Sequence, residues 1–247
     1  MTVQDILEFL QQKAPVSLAE EWDNVGLLIG DEDAPVEAVV IALDVTDAVL
    51  DHAIAQGAQL IITHHPVIFE PLKTLPADCI AHRLIKAGIA VISMHTNADK
   101  AFGGVNDCLC ERLGLSNVSV APDGLSRIGT LPASMSATVF AEYVAHCLNT
   151  AVRVKAGADE IRTVAVCGGA GADLVIPLLD RADAAVTGEV KHHEWLSVPA
   201  AKTLVDGGHY ATENAVIDRF FEWVHDAFPA LNMIVYTGEA PYVTIEV

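Results

Sequence analysis

The feature that most restricts the fold is an alternation of strand-like and helix-like patterns that occurs twice along the chain. VEAVVIAL is followed by a helical pattern over Asp47–Gln56, the apolar run AQLIITHH, a second helical pattern near Ala81–Ala87, and GIAVISMH. The order returns with RTVAVCGG, a helical pattern over Ala172–Arg181, ADAAVTGE, a short helix around His192–Leu196, and AKTLVDGGHY. Short apolar runs separated by helical lengths predict parallel strands joined by right-handed crossovers. Ala58–Thr63 aligns with Ala182–Thr187 at an offset of 124 residues, so the expected fold is α/β with two related lobes and mostly parallel sheets. The first lobe is expected over 1–118 and the second over 161–247. Between them lies Ser116–Ile161, turn-rich at its beginning (NVSVAPDGLSRIG) and helical in ATVFAEYVAHCLN, with the connecting region expected over 119–160. The cleft between two such lobes is the expected place for a ligand.

Composition narrows the function classes. The hydrophobic share of 52% is spread through short segments of Ala, Val, Ile and Leu, with no apolar run of the ~20 residues a membrane span needs. The N-terminal MTVQDILEFLQQKAP places Val3, Ile6, Leu7 and Leu10 at amphipathic spacing and lacks the basic start and cleavage site of a signal peptide. A cytoplasmic protein is the expectation. Five cysteines, an odd number without a C-x-x-C, argue against a disulfide framework or a thiolate zinc site. The formal charge of −19 opposes binding to a nucleic-acid backbone, which draws on Lys and Arg. It also repels free nucleotides unless a bound cation reverses the local field.

The histidines supply a route to such a cation. ITHHPVIF places His64 and His65 side by side at the end of an apolar run, where Pro66 disfavours a helical conformation at His65 and lets the chain leave the strand extended. Each half then ends its third strand in a loop of one form: HTNAD, with His95 and Asp99 four apart, and HYATE, with His209 and Glu213 four apart. An i, i+4 pair lies on one helical face with Cβ atoms roughly 5–6 Å apart, close enough to converge on one ion. Strand ends are also where open α/β sheets bind ligands. His64, His65, Asp99, His209 and Glu213 are therefore the candidate metal ligands. Their mixed nitrogen and oxygen donors suit two divalent ions of intermediate softness, Zn, Fe, Mn or Ni.

Other motifs are less specific. His95 is either a ligand or a hydrogen-bond partner behind one. His192 and His193 follow TGEVK, matching the HH strand through the repeat, and are either proton donors for catalysis or an exposed helical pair. Glu189 occupies the position equivalent to His65. His52, His82, His146 and His225 are expected in structural roles. GGVND lacks a full phosphate-binding fingerprint and reads as a turn into a helix. EEWDNVGLLIGD sets Trp22, Asp23 and Asn24 before a glycine in an apolar context, as a structural turn or as a lining of the cleft.

Taken in order from residue 20 to 214, EEWDNVGLLIGD, ITHHPVIF, HTNAD with GGVND, TGEVKHHE and GHYATE resemble the signature blocks of the Nif-three-like family, the GTP cyclohydrolase I type 2 homologues. The resemblance implies a dinuclear metal centre between two α/β lobes, with ligands on His64, His65, Asp99, His209 and Glu213. It also implies a ring-shaped homohexamer. Some members carry an inserted domain mid-chain, for which Ser116–Ile161 leaves no room.

Two functions from different classes follow. The first is a metal-dependent hydrolase acting on a nucleotide-like or other small substrate, with His192 or His193 protonating the leaving group. The second is a metal-binding protein that stores or delivers ions, or an interaction protein without catalysis. Nucleic acid is disfavoured as a partner by charge.

Overall fold

A computed structural model describes residues 1–238 and 240–242, and the chain divides into two compact units. The first comprises Met1–Gly104 together with Val216–Gly238, and the second is built on Val105–Ala215.

The first unit opens with helix α1 (Val3–Lys13), which buries Val3, Ile6, Leu7 and Leu10 as the amphipathic spacing predicts. Thr2 and Asp5 cap it reciprocally, each side chain accepting from the other's backbone N–H, which satisfies two donors that a helix start leaves open. Each fully buried Ile or Leu on that face stabilises the fold by roughly 1.5–3 kcal/mol. There follow β1 (Gly26–Ile29), β2 (Ala38–Ala42), α2 (Asp47–Ala55), β3 (Leu60–Thr63), α3 (Ile80–Ala87), β4 (Ala90–Ser93) and the short α4 (Thr96–Lys100). Strands β2, β3 and β4 run parallel and in register, with Ala42 beside Thr63 and Thr63 beside Ser93 at their C-terminal ends. All three are buried throughout, as central strands of a covered parallel sheet must be.

The second unit continues with α5 (Val105–Arg112), β5 (Ser116–Val120), β6 (Arg127–Met135), α6 (Ala137–Leu148), β7 (Arg153–Lys155), β8 (Ile161–Val166) and α7 (Ala172–Val175), then β9 (Ala184–Thr187), α8 (His192–Ser197), β10 (Thr203–Asp206) and α9 (His209–Glu213). Its sheet has the order β5-β6-β8-β9-β10-β7, in which β8, β9 and β10 are parallel and the flanking pairings antiparallel. Period-2 alternation clothes both faces. Val164, Val166, Val186 and Val205 join Phe140, Val144 and Leu148 of α6 on one side, and Ala165, Ala185 and Leu204 join Val175 and Leu179 on the other.

Finally α10 (Ala215–Ala227) and β11 (Asn232–Val235) return to the first unit, where β11 pairs in parallel with β2 and completes a sheet of order β1-β4-β3-β2-β11. Among the described residues no helix is long and apolar enough to cross a membrane.

The α/β class and the largely parallel sheets agree with the sequence reading, and β3 and β9 sit at the offset of 124. Three details differ. The helix expected over Ala172–Arg181 is a short α7 followed by a 3-10 turn over Pro177–Asp180, because Pro177 has no N–H to continue the ladder. The stretch expected as a connector, 119–160, includes strands β6 and β7 of the second sheet. The expected second lobe of 161–247 is divided, since β2 holds β11 in the first unit; its residues 239 and 243–247 lie outside the described residues.

Candidate metal centre

In the first unit the three parallel strands end level, and each delivers polar residues immediately past its end. Asp44 follows β2, His64 and His65 follow β3, and His95 follows β4 as the residue preceding α4. The strand has ended at Thr63, so the alternation rule no longer separates the two histidines. Their ring centroids lie 4.8 Å apart. The turn is fixed by the backbone: the His65 N–H donates to Leu43 O at 3.0 Å, and the Thr63 and Ser93 hydroxyls each lie 2.9 Å from the His65 carbonyl.

Each imidazole is oriented by what its Nδ1 meets. His64 Nδ1 lies 2.8 Å from the Met94 carbonyl, His65 Nδ1 2.7 Å from Asp44 Oδ1, and His95 Nδ1 2.8 Å from Asp23 Oδ1. A carbonyl or carboxylate oxygen accepts, so each Nδ1 is the donor, and in the neutral imidazole Nε2 is then the nitrogen that carries the lone pair. The ligand atoms of His64, His65 and His95 all lie within 4.8 Å of one another. Asp99, on α4, brings Oδ1 to 3.7 Å from His64 Nε2. The Asp23 side chain is enclosed, although the residue as a whole is half-buried. Burial pushes its carboxyl up, but hydrogen bonds from the His95 ring and from the Thr96 hydroxyl and N–H outweigh that and hold it well below the usual carboxylate range.

The second unit repeats the plan with different residues. His209 opens α9 and Glu213 closes it, with His209 Nε2 3.0 Å from Glu213 Oε2. His209 Nδ1 donates to Glu189 Oε1 at 2.7 Å. Glu189, the repeat equivalent of His65, thus serves as an orienting acceptor. Gly188 is the equivalent of His64, and its lack of a side chain is enforced: a Cβ there would lie 2.5 Å from Thr212 Oγ1 and 2.8 Å from the His209 Cα. Gly169, with φ +60°, is tighter still, since a Cβ would stand 2.1 Å from Glu213 Oε1 and 3.2 Å from His209 Nε2. Its N–H donates to Thr212 Oγ1 at 3.0 Å, and its carbonyl accepts from Gly188 N at 2.8 Å.

The first unit therefore brings His64, His65 and Asp99 together, and the second brings His209 to Glu213, as the motif spacing predicts. His95 lies with the first group, its ligand atom within 4.8 Å of those of His64 and His65. His192 and His193 stand exposed at the start of α8, where Glu194 accepts from the Lys191 N–H at 2.6 Å. Asp44 and Asp23 were not singled out from sequence as orienting groups; position alone, just past one strand and within a turn-rich EEWDN, marks them. His52 and His225 have structural contacts, with Tyr236 and Phe221 respectively, and His82 Nδ1 meets the Ala77 carbonyl at 3.0 Å. Imidazole lone pairs held in place by carboxylates and carbonyls, with carboxylates beside them, are a donor set that can hold a divalent ion of intermediate softness.

The chain is similar to known proteins in sequence and in fold. The profile of the Duf34/NIF3 (NGG1p interacting factor 3) family matches residues 1–241. A Clostridium acetobutylicum protein named GTP cyclohydrolase 1 type 2 homolog is 31% identical over 231 residues, covering 86% of this chain and 85% of its own. The crystal structure of a hypothetical protein from Staphylococcus aureus superposes with a TM-score of 0.91 at 30% identity, over 99% of both chains. A Bacillus cereus protein described as related to NIF3 gives a TM-score of 0.90 at 26% identity, again over 99% of both.

Proposed function

The chain belongs to the Duf34/NIF3 family, and from that premise we propose that His64, His65, Asp99, His209 and Glu213 hold two divalent metal ions, with His95 as a further donor, in a hydrolase acting on a nucleotide-like or other small substrate. One observation carries the reading. Every histidine of the set has Nδ1 committed to an acceptor, so that in its neutral form each presents Nε2 as the lone-pair nitrogen, an arrangement expected of imidazoles kept for a metal.

Bound there, the ions would supply Lewis-acid polarisation of the substrate and lower the pKa of a water from about 15.7 toward about 7. The protein's own groups do the rest. Asp44, Asp23 and Glu189 keep His65, His95 and His209 in one tautomer and one orientation. Glu213 and Asp99 contribute the negative charge that offsets the cations. His192 or His193 protonates the leaving group as general acid. The names borne by relatives support a purine nucleotide among the substrates to be tried, and a homohexamer is the assembly proposed.

Elemental analysis of protein purified without chelator is expected to give about two divalent ions per chain, reduced by His64→Ala and by Glu213→Ala. A broad screen of nucleotides and phosphoesters should show turnover that those variants lose and that His192→Ala/His193→Ala lowers by about 100-fold or more. Loaded protein that is inert across the whole screen, yet passes its ions to an acceptor apoprotein, would replace the hydrolase by a metal-delivery protein.

A further inference from the structure

Two aromatic side chains of the first unit stand in solvent next to the three histidines. Trp22 is 61% exposed and Phe69 47%. Their ring centroids lie 5.8 Å apart with the planes tilted by 54°. The His95 ring lies steeply inclined to both, its centroid 6.2 Å from that of Trp22 at 73° and 6.3 Å from that of Phe69 at 79°. Large exposed aromatics raise the free energy of the unbound surface, and a contiguous pair calls for something to cover it.

The loops that carry them are tied down. Asn24 Nδ2 donates to Ile68 O at 2.5 Å, linking the turn of Trp22 to the segment of Phe69. Asp23 N donates to Glu20 O at 3.0 Å, Glu20 N to Thr96 Oγ1 at 2.9 Å, and Thr96 N to Asp23 Oδ2 at 2.9 Å. Asp23 thereby serves two purposes at once, since the same carboxylate orients His95. Two rings preset at one spacing, fastened to a metal-binding histidine, are preorganised for a flat ligand.

We infer that Trp22 and Phe69 form a stacking subsite for a planar heteroaromatic ring, which places a heteroatom or ring carbon of that ligand beside the histidine cluster. The inference rests on the metal-centre reading and adds to it the part of the substrate that faces the ions: the ring rather than a phosphate tail. Charge supports the choice. Lys100 pairs with Glu20 at 2.7 Å and the Asp23 side chain is buried against His95, which leaves Glu21 and Glu70 against Lys73 beside the rings, a nearly balanced surface on which a neutral ring stacks without leaving a charge unpaired. Stacking on aromatic side chains is tolerant of base identity, which makes the class of ring, not one compound, the prediction.

The test uses the full-length protein in apo and zinc-loaded form, with equilibrium dialysis against guanosine, adenosine and cytidine, and against ribose 5-phosphate as the ringless control. At least one nucleoside is expected to bind the zinc-loaded protein tenfold or more tightly than ribose 5-phosphate. Trp22→Leu and Phe69→Leu should each weaken that binding by about tenfold, and Trp22→Tyr should restore most of it, while the zinc content of all three variants stays at the wild-type value. If zinc is held and no nucleoside binds, or if ribose 5-phosphate binds as well as the nucleosides, the subsite is refuted and the metal centre stands. If zinc is not held but a nucleoside binds apo protein through Trp22, the metal centre fails and the subsite stands. Trp22→Leu protein that sediments as a smaller oligomer would overturn the inference by assigning the pair to a contact between copies of the chain.

Discussion

Replacing Gly169 by Ala tests the candidate site at its tightest point. Gly169 adopts φ +60°, a left-handed conformation that costs an L-residue roughly 1–2 kcal/mol. The narrower unfolded ensemble of Ala gives back about 0.4–1 kcal/mol of that. Gly88 has nearly the same φ, +68°, but a Cβ there meets nothing within 4 Å. Gly88→Ala is therefore the control, expected to cost on the order of 1 kcal/mol and to lower Tm by about 2–4 °C in a chain of this size. At Gly169 the added carbon would lie 2.1 Å from Glu213 Oε1, so the carboxylate must retreat by about 1 Å to reach van der Waals contact. Metal–ligand distances tolerate about 0.2 Å, several times less than that displacement. If Glu213 is a metal ligand as proposed, the expected result by elemental analysis is that Gly169→Ala holds less metal than wild type while Gly88→Ala keeps its full complement. Differential scanning calorimetry of metal-free protein should show Gly169→Ala melting below the control. Wild-type metal content in Gly169→Ala, together with a Tm equal to that of Gly88→Ala, would refute the claim that this glycine leaves room for the Glu213 carboxylate.

Further outcomes follow from the orienting groups and from one acid away from the site. Asp23→Ala removes the acceptor of His95 Nδ1 and of two Thr96 donors, and is expected to weaken metal binding by about 10- to 100-fold in competition with a chromophoric chelator; unchanged affinity would count against an orienting role. Asp183 is pushed up by burial but held lower overall by the Thr163 N–H and hydroxyl and the Arg162 N–H. A carboxyl depressed in the folded state adds stability that is fully present above its unfolded pKa and disappears as pH falls through the folded value. Urea unfolding should therefore separate wild type from Asp183→Asn most widely near pH 7 and progressively less below pH 4, whereas an equal gap at pH 7 and pH 3 would contradict the assignment.

The two repeats were legible because their strands are central and buried on both faces, where local pattern and tertiary environment agree. AQLIIT and ADAAVT became β3 and β9, and both end at the threonine where the apolar run stops. The closeness of His209 to Glu213 was legible for a related reason: helical spacing holds even in the five residues of α9. The pairing of β11 with β2 was not. Asn232–Val235 has no alternation to show its face, and its partner lies almost two hundred residues earlier, so only the assembled sheet selects it. β5 was read as turn because Ser116, Asn117 and Ser119 are exposed polar residues; it is an edge strand, with Asn117 at φ +52° interrupting the register with β6. Asp23 and Asp44 were invisible as partners of His95 and His65 because hydrogen bonds spanning 72 and 21 residues leave no trace in local spacing.

Gly188 makes the internal symmetry of the chain irreversible. A histidine introduced there, in imitation of position 64, would be driven into the Thr212 hydroxyl and the backbone of α9 before it could aim a nitrogen at anything. The second repeat has given its counterpart space to the helix that carries its own two donors, so the two halves are kindred in backbone yet not interchangeable in chemistry, and grafting one onto the other would dismantle a site rather than double it.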